Sequence, residues 1–321
     1  MRNYIIRRIL LLVPTFLLVT VLVFMFIRLM PGSVLELMVN EMPRGSSTGG
    51  QTVDVQAIRH MLGLDQPVLS QYWDWLTHLL RGDTGKSLWN NQSVTTNIMA
   101  RLPVTFELGL LAFIIAQIVA FPIGVLSAIR PDSIGDYIAR SFAIIAVAVP
   151  NFWLATMVFV FPSIWWGWSP PVSYVGITEN LQLNLEQFLI PAAILGFGMA
   201  GLTIRMLRTT MLDVLRQDYV RTAWAKGLRE RVILVRHALK NAAIPVVTIV
   251  GGQIPVLIGG EVIMENIFAL PGMGRLLVES INHRDYPYIS GINAFLSIFG
   301  LIVILLTDLS YAWMDPRIRY R

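Results

Sequence analysis

The sequence has no cysteine, which excludes disulfides and thiolate metal sites. It is also short of charge: Asp, Glu, Lys and Arg make up 14% of its 321 residues, against about 25% in a soluble domain. The four histidines, His60, His78, His237 and His283, are scattered and lack the H-E-x-x-H spacing that sets two imidazoles on one helix face around zinc. The one G-x-S-x-G, Gly45-Ser46-Ser47-Thr48-Gly49, lies in a Gly/Ser-rich stretch with no apolar strand before it, so the strand-to-helix elbow that exposes the nucleophile of the serine hydrolases is not expected. No apolar run holds a charge near its middle, where a proton- or sodium-driven carrier normally buries a carboxylate. Nor is there a fixed-period repeat or a pair of matching halves, the mark of many secondary transporters. Residues 82–87, GDTGKS, end like a phosphate-binding loop, but that loop needs four residues between its glycines so that backbone N–H groups can wrap a phosphate. Here there are two, and ATP hydrolysis by this chain is not expected.

What is present is apolar. Hydrophobic residues make up 55% of the chain and its mean hydropathy is +0.62. The charge-free runs are 9–27, 108–129, 141–178, 187–204, 241–260 and 286–307; each reaches the roughly 18 residues at which a transmembrane helix becomes a candidate. The third run is too long for one span and is broken by Pro162 and then by Trp168-Ser169-Pro170-Pro171, so one span to about Trp165 is expected, followed by a loop. The expected fold is therefore an all-α integral membrane protein with six spanning helices. Arg7-Arg8 precede the first apolar run as in a signal peptide, but that run is too long, and Met30-Pro31-Gly32-Ser33 is not a cleavage site, so an uncleaved first helix is expected.

Six spans put both termini on one side, which then carries 17 of the 25 Lys and Arg residues. The positive-inside rule makes that side cytoplasmic. Topology thus accounts for the pI near 9.7, and nucleic acid is not an expected partner. The chain divides into residues 1–30 with the first span, an extracytoplasmic segment 31–102, and a core 103–321 that contains a basic cytoplasmic segment, 205–240, and an external loop, 261–288. Within 31–102, residues 42–50 (MPRGSSTGG) read as a flexible loop, and 55–62 and 66–80 as short amphipathic helices of a small surface cap, with Trp73 and Trp75 suited to the headgroup level.

Polar residues inside the spans are amides and hydroxyls, the amides among them Gln117, Asn151, Gln253 and Asn293. They either bond between helices or line a path, and the candidate pathway set is Asn151, Gln253, Glu261, Glu265 and Asn293. The fifth span is rich in glycine and proline, Gly251-Gly252-Gln253-Ile254-Pro255 and Gly259-Gly260, which suits a kinked, closely approached helix. The loop after it reads FALPGMG from Phe268 to Gly274; a Pro-Gly turn leading into a short amphipathic helix makes Pro271, Gly272 and Gly274 candidates for an external gate.

The most unusual passage is residues 218–245, DYVRTAWAKGLRERVILVRHALKNAAIP. Residues 205–219 should extend the fourth helix, 219–226 should form a short helix ended by Gly227 at the left-handed C′ position, and 228–241 a basic helix leading into the fifth span. Attraction to anionic lipid accounts for the charge, but not for the glycine break or for the small apolar face of Ala223, Trp224 and Ala225, which suits a knob entering a groove on another protein.

This passage resembles the EAA motif of ATP-binding-cassette (ABC) importer permeases, E-A-A-x3-G-x9-I-x-L-P, in the form found in the dipeptide, oligopeptide and nickel branch, which reads much like DYVRTAxAKGL…HALxNAxIP. Further elements similar to that branch are RRIL near the start, LGLDQP at 62–67, GDTGKS at 82–87, PGMGRLL at 271–277, RDYP at 284–287 and DPRIRY at 315–320, so the likeness runs the whole length. It implies the type I importer permease fold and a cell-membrane transporter subunit that forms half of a translocation pathway and is not itself an enzyme. It further implies a second, related permease chain, two ATPase subunits that bind the ATP and Mg, and an extracytoplasmic binding protein. The implied coupling set is Asp218, Tyr219, Arg221, Ala223, Ala225, Lys226, Gly227, His237 and Asn241. The implied cargo is di- or oligopeptide, with nickel, glutathione or oligosaccharide as alternatives on the same fold. An ion-coupled secondary carrier is the competing class.

Overall fold

The computed structural model describes residues 2–29, 65–260 and 262–314. Two of the expectations above, the loop at 42–50 and the amphipathic stretch at 55–62, fall outside them, as do Glu261 and the 315–320 motif.

The described residues form helices joined by short turns. In chain order they are α1 (Arg2–Leu29), α2 (Val68–Leu80), α3 (Val94–Ile129), α4 (Ile134–Ala148), α5 (Asn151–Trp166), α6 (Leu181–Leu215) and α7 (Asp218–Ala225). Then come α8 (Glu230–Val232), a π-helical stretch (Ile233–Leu239), α9 (Lys240–Gly260), α10 (Val262–Ile267), α11 (Met273–Asn282) and α12 (Tyr286–Met314). Five stretches are long and apolar enough to cross a bilayer: 6–25 in α1, α3, α6, the run from Glu230 into α9, and 286–310 in α12.

The expected third span is where the sequence reading needs correction. The helix begins at Ile134, ahead of the charge-free run, and α4 and α5 meet at a 93° bend. Pro150 is the physical cause. It has no N–H to continue the ladder of α4, and its ring drives the preceding Val149 into an extended conformation (φ −83°, ψ 123°). Pro162, by contrast, lies within α5, which runs on to Trp166 and ends on Gly167 in the left-handed region. The end near Trp165 is as expected; the break inside the segment is not.

The centre of the bundle is the α3–α6 pair. On α3, Leu108, Ala112, Ala116 and Ala120 recur every four residues and are fully buried, facing Phe188, Ala192, Ala200 and Ile204 of α6. Lipid tails are as apolar as leucine, so helices in a membrane associate through close backbone packing rather than through expulsion of water. A stripe of alanines permits that approach, and the partner face completes it with glycine: a Cβ at Gly196 would lie 2.8 Å from the carbonyl oxygen of Ala112. Side-chain caps fix where the helices start. Ser93 accepts from Thr96 N–H ahead of α3, Ser133 from Asp136 N–H ahead of α4, and Asn180 from Leu183 N–H ahead of α6.

At one end of the bundle, residues 82–106 pack on 262–288. Ser87 Oγ and Leu88 N–H donate to the Asp285 carboxylate, and Trp89 Nε1 donates to the His283 carbonyl at 2.7 Å. The GDTGKS stretch is thus a turn, with Gly82 and Gly85 at positive φ, that ties two extramembrane segments together. Nearby, α2 lies on α1 through the Thr20–Tyr72 hydroxyl contact at 3.0 Å and the Phe24, Tyr72 and Trp75 rings. At the other, basic end, Ala128, Leu207, Met211, Ala238, Ala242 and Val246 close a second core.

Candidate functional site

Helix α7 is amphipathic on a small scale. Val220 and Ala223 are buried against Ile233, with Val214 and Leu215 beside them, while Asp218, Tyr219, Arg221, Trp224, Ala225, Lys226 and Gly227 are exposed. This corrects one expectation: Ala223 belongs to the inward anchor and not to the presented knob, because residues 220 and 223 fall on the same helix face and that face is covered by the chain itself. The helix ends in a Schellman arrangement, with Gly227 N–H donating to Trp224 O at 2.9 Å and Leu228 N–H to Ala223 O at 3.4 Å. Gly227 has φ +74°, and a Cβ there would meet nothing within 4 Å. Conformation, and not space, is what requires glycine there.

Three further residues of the set tie α7 to the helix that follows. Asn241 Nδ2 donates to Tyr219 Oη at 2.8 Å and to His237 O at 3.1 Å, and Tyr219 Oη donates to His237 O at 3.4 Å. His237 contributes its carbonyl, and that carbonyl lies in the π-helical stretch, a geometry that recurs at functional sites. The Asp218–Arg221 pair is exposed on both sides at 3.5 Å and contributes little. A short helix is therefore braced at its root to the fifth span and bare on its other face.

The pathway candidates separate. Asn151, at the start of α5 just after the bend, and Gln253 on α9 line one groove of 680 Å³ between the α4–α5 corner, α6 and α9. Gly198 clears space for Asn151, since a Cβ there would sit 3.1 Å from its Oδ1. Gln253 Nε2 donates to Met199 O at 3.3 Å, while its buried Oε1 has no partner among the described residues. The rest of the lining is apolar apart from Thr248. Val256, also in the lining, is 68% exposed, so the groove has one open wall.

Glu265 and Asn293 do not share this groove. Asn293 Nδ2 donates to the Ile289 carbonyl one turn back in α12 at 2.7 Å. Glu265 is fully buried in α10, and its carboxylate accepts from Thr105 Oγ1 at 2.6 Å and from Arg275 N–H at 2.8 Å, and from Gly274 N–H. It satisfies the first-turn donors of α11, the role of a helix cap with negative charge at the positive end. Burial pushes this carboxyl above its ordinary range, opposed by the Thr105 hydroxyl and the two backbone N–H groups. Gly272 and Gly274 pack directly on it, so that a Cβ at Gly272 would overlap the carboxylate. Pro271, Gly272 and Gly274 therefore form a closed turn over Glu265.

One constellation was not singled out in the sequence. Asp136, buried at the start of α4, is held by Arg208 of α6 through two parallel bonds of 2.6 and 2.7 Å. It also accepts from Ser127 Oγ at the end of α3 and from Asp132 N–H at 2.9 Å. Three helices are thereby joined at the basic end. Asp136 and Arg208 are 72 positions apart, and in the sequence each reads as one more charge near a helix end.

Residues 120–320 match the family described as "Binding-protein-dependent transport system inner membrane component", and residues 1–109 match its N-terminal companion. The chain belongs to this family. Among relatives of this membrane component, a putative peptide transport system permease protein of Brucella abortus is 39% identical over 320 residues, covering 100% of both chains. The oligopeptide transport system permease protein AppB of Bacillus subtilis is 40% identical over 324 residues, and the glutathione transport system permease protein GsiC of Pectobacterium atrosepticum 37%, each again with 100% of both chains covered. Among solved structures, an inward-facing MetNI methionine ABC transporter aligns with a TM-score of 0.53 at 16% identity, over 68% of this chain and 96% of that one. An amino acid ABC transporter with histidines aligns at 0.52 and 15%, over 68% and 94%. At such identities the likeness is one of fold.

Proposed function

We propose that the membrane component forms half of the pathway of an ABC importer for di- and oligopeptides, with both termini in the cytoplasm. In this reading α7 is the coupling helix. ATP binds and is hydrolysed on two partner ATPases, a second permease chain closes the open wall of the 680 Å³ groove, and an extracytoplasmic binding protein delivers cargo at the end where 82–106 meets 262–288. The observation that carries the proposal is the brace. Tyr219 and Asn241 fix α7 to the root of α9, so a push on the bare face of α7 is delivered to the span that holds Gln253. A rigid short helix transmits force that a loop would absorb.

Cargo class follows from the groove. Its polar groups are two amides and a hydroxyl, with no carboxylate, imidazole or thiol among the described residues of the lining. Such groups hydrogen-bond peptide units, whereas nickel requires nitrogen, sulfur or charged oxygen ligands. Glutathione, the cargo in the name of one relative, is itself a small peptide and falls within the class. The test is reconstitution in proteoliposomes with and without the ATPase subunits. Uptake of peptide should require ATP and both partners; uptake by this chain alone, driven by an ion gradient, would overturn the reading. Gln253→Leu should change the uptake rate while leaving the assembled complex intact, and unchanged uptake would return Gln253 to a packing role.

A further inference from the structure

A second groove, of 790 Å³, opens at the basic end between the α3–α4 turn and the start of α8. Its walls are apolar: Leu126 of α3, Ile134, Ile138 and Phe142 of α4, and Leu234 of the π-helical stretch. Ile134 is 80% exposed and Leu126 and Ile138 65% each. From Ile134 to Phe142 the wall climbs eight helical residues, about 12 Å at 1.5 Å per residue. Exposed apolar patches of this kind mark interaction sites, and a slot of this length fits part of an acyl chain.

The rim adds selectivity. Arg130 ends α3 directly after the charge-free run 108–129 and Glu230 opens α8, and both line this groove. Among the described residues neither has an ion-pair partner within 4.0 Å. One cation and one anion at the mouth of an apolar slot complement a zwitterion. We propose that this groove is a binding site for phosphatidylethanolamine, with its phosphate on Arg130, its ammonium on Glu230 and one acyl chain along α4. A primary ammonium donates hydrogen bonds to a carboxylate and a choline cannot, while phosphatidylglycerol offers Glu230 no cation. The site has a mechanical setting. One wall is the α3–α4 corner, held to α6 by Asp136 and Arg208; the other is the root of the lever, so the lipid sits between the fixed and the moving part.

The test is lipid retention by the intact complex. The complex is reconstituted in nanodiscs of phosphatidylcholine, phosphatidylethanolamine and phosphatidylglycerol in equal parts, released into detergent and analysed by native mass spectrometry. Both leaflets are identical there, so the result does not depend on the orientation or the cargo proposed above. Phosphatidylethanolamine should be retained over the other two. Arg130→Gln should reduce its retention about fivefold, the effect of one basic residue at the interface; Glu230→Gln should erase its advantage over phosphatidylcholine. Leu126→Trp should fill the slot and remove the lipid with the rim intact. Retained lipid that mirrors the bulk mixture, a preference for phosphatidylglycerol, or retention unchanged in the three variants would overturn the proposal. So would a photo-crosslinker on Ile134→Cys, unique in a chain without cysteine, that is recovered on a partner subunit instead of on lipid.

Discussion

Substituting Gly272 by alanine tests how the loop over Glu265 is held. The new Cβ would occupy the space of the Glu265 carboxylate, and neither side can yield easily. Glu265 is fully buried in α10, and Gly272 is fixed by the N–H groups of Gly274 and Arg275 that bond the same carboxylate. Relief requires that the carboxylate leave, which breaks its bonds to Thr105, Gly274 and Arg275. Hydrogen bonds to a charged group contribute about 1.5–3 kcal/mol each. Because the three share one acceptor and their costs are not additive, the expected loss is about 3–5 kcal/mol. At roughly 2 °C per kcal/mol for a chain of this size, the melting midpoint in detergent should fall by about 6–10 °C. Glu265→Ala removes the obstacle along with the bonds. In that background Gly272→Ala should cost about 1 kcal/mol or less, leaving a coupling of about 2–4 kcal/mol in the double-mutant cycle. Melting by intrinsic fluorescence of the two single variants, the double variant and the parent gives the four corners. A Gly272→Ala protein as stable as its parent, or strictly additive losses, would refute the reasoning.

Other expectations follow from the same geometry. Asp136→Asn leaves Arg208 without its buried counter-ion, and Arg208→Met does the reverse; each should destabilise the basic end by about 3–5 kcal/mol, and melting curves no different from the parent would make the pair a surface ornament. The folded pKa of Glu265 lies above its unfolded value, so the native state holds the extra proton between the two. Stability should therefore be greatest below the unfolded carboxyl pKa and fall as pH rises from there through the folded value. Glu265→Gln should flatten that slope, and a slope unchanged in the variant would assign the titration elsewhere. Gly227→Pro cannot adopt φ +74° and loses the N–H bond to Trp224; it should abolish ATP-driven uptake while the chain still inserts, and normal uptake would remove α7 from the coupling path.

Much of this was legible in the sequence because it is local. Charge-free runs mark the spans, since one ionised group in hydrocarbon costs more than most helices can offset. Gly227 marks the end of α7 because a positive φ is a property of one residue. Helix α11 after Pro271-Gly272 was legible from its own apolar spacing, whereas Gly272 is extended (φ −89°) and the left-handed residue of that loop is Ala269 (φ 53°). Illegible features were those in which distant residues meet. Nothing near Asp136 names Arg208, and Glu265 looks like a pathway carboxylate until Thr105, 160 positions away, is seen to donate to it. Ala223 shows the same limit on a smaller scale: its face of the helix was evident, but not that Ile233 covers it.

Composition and local stereochemistry alone thus determined a membrane-spanning helical chain with a short glycine-ended helix on its basic side, because hydropathy, helix ends and turns are set within a few residues. Tertiary structure alone decided that the third segment turns through 93° at Pro150, that Asn151 and Gln253 face one groove while Glu265 caps a helix, and that Tyr219 and Asn241 join α7 to α9. Those outcomes depend on which helices pack together, and in a bilayer that choice rests on close surface fit and buried hydrogen bonds between residues far apart in the chain.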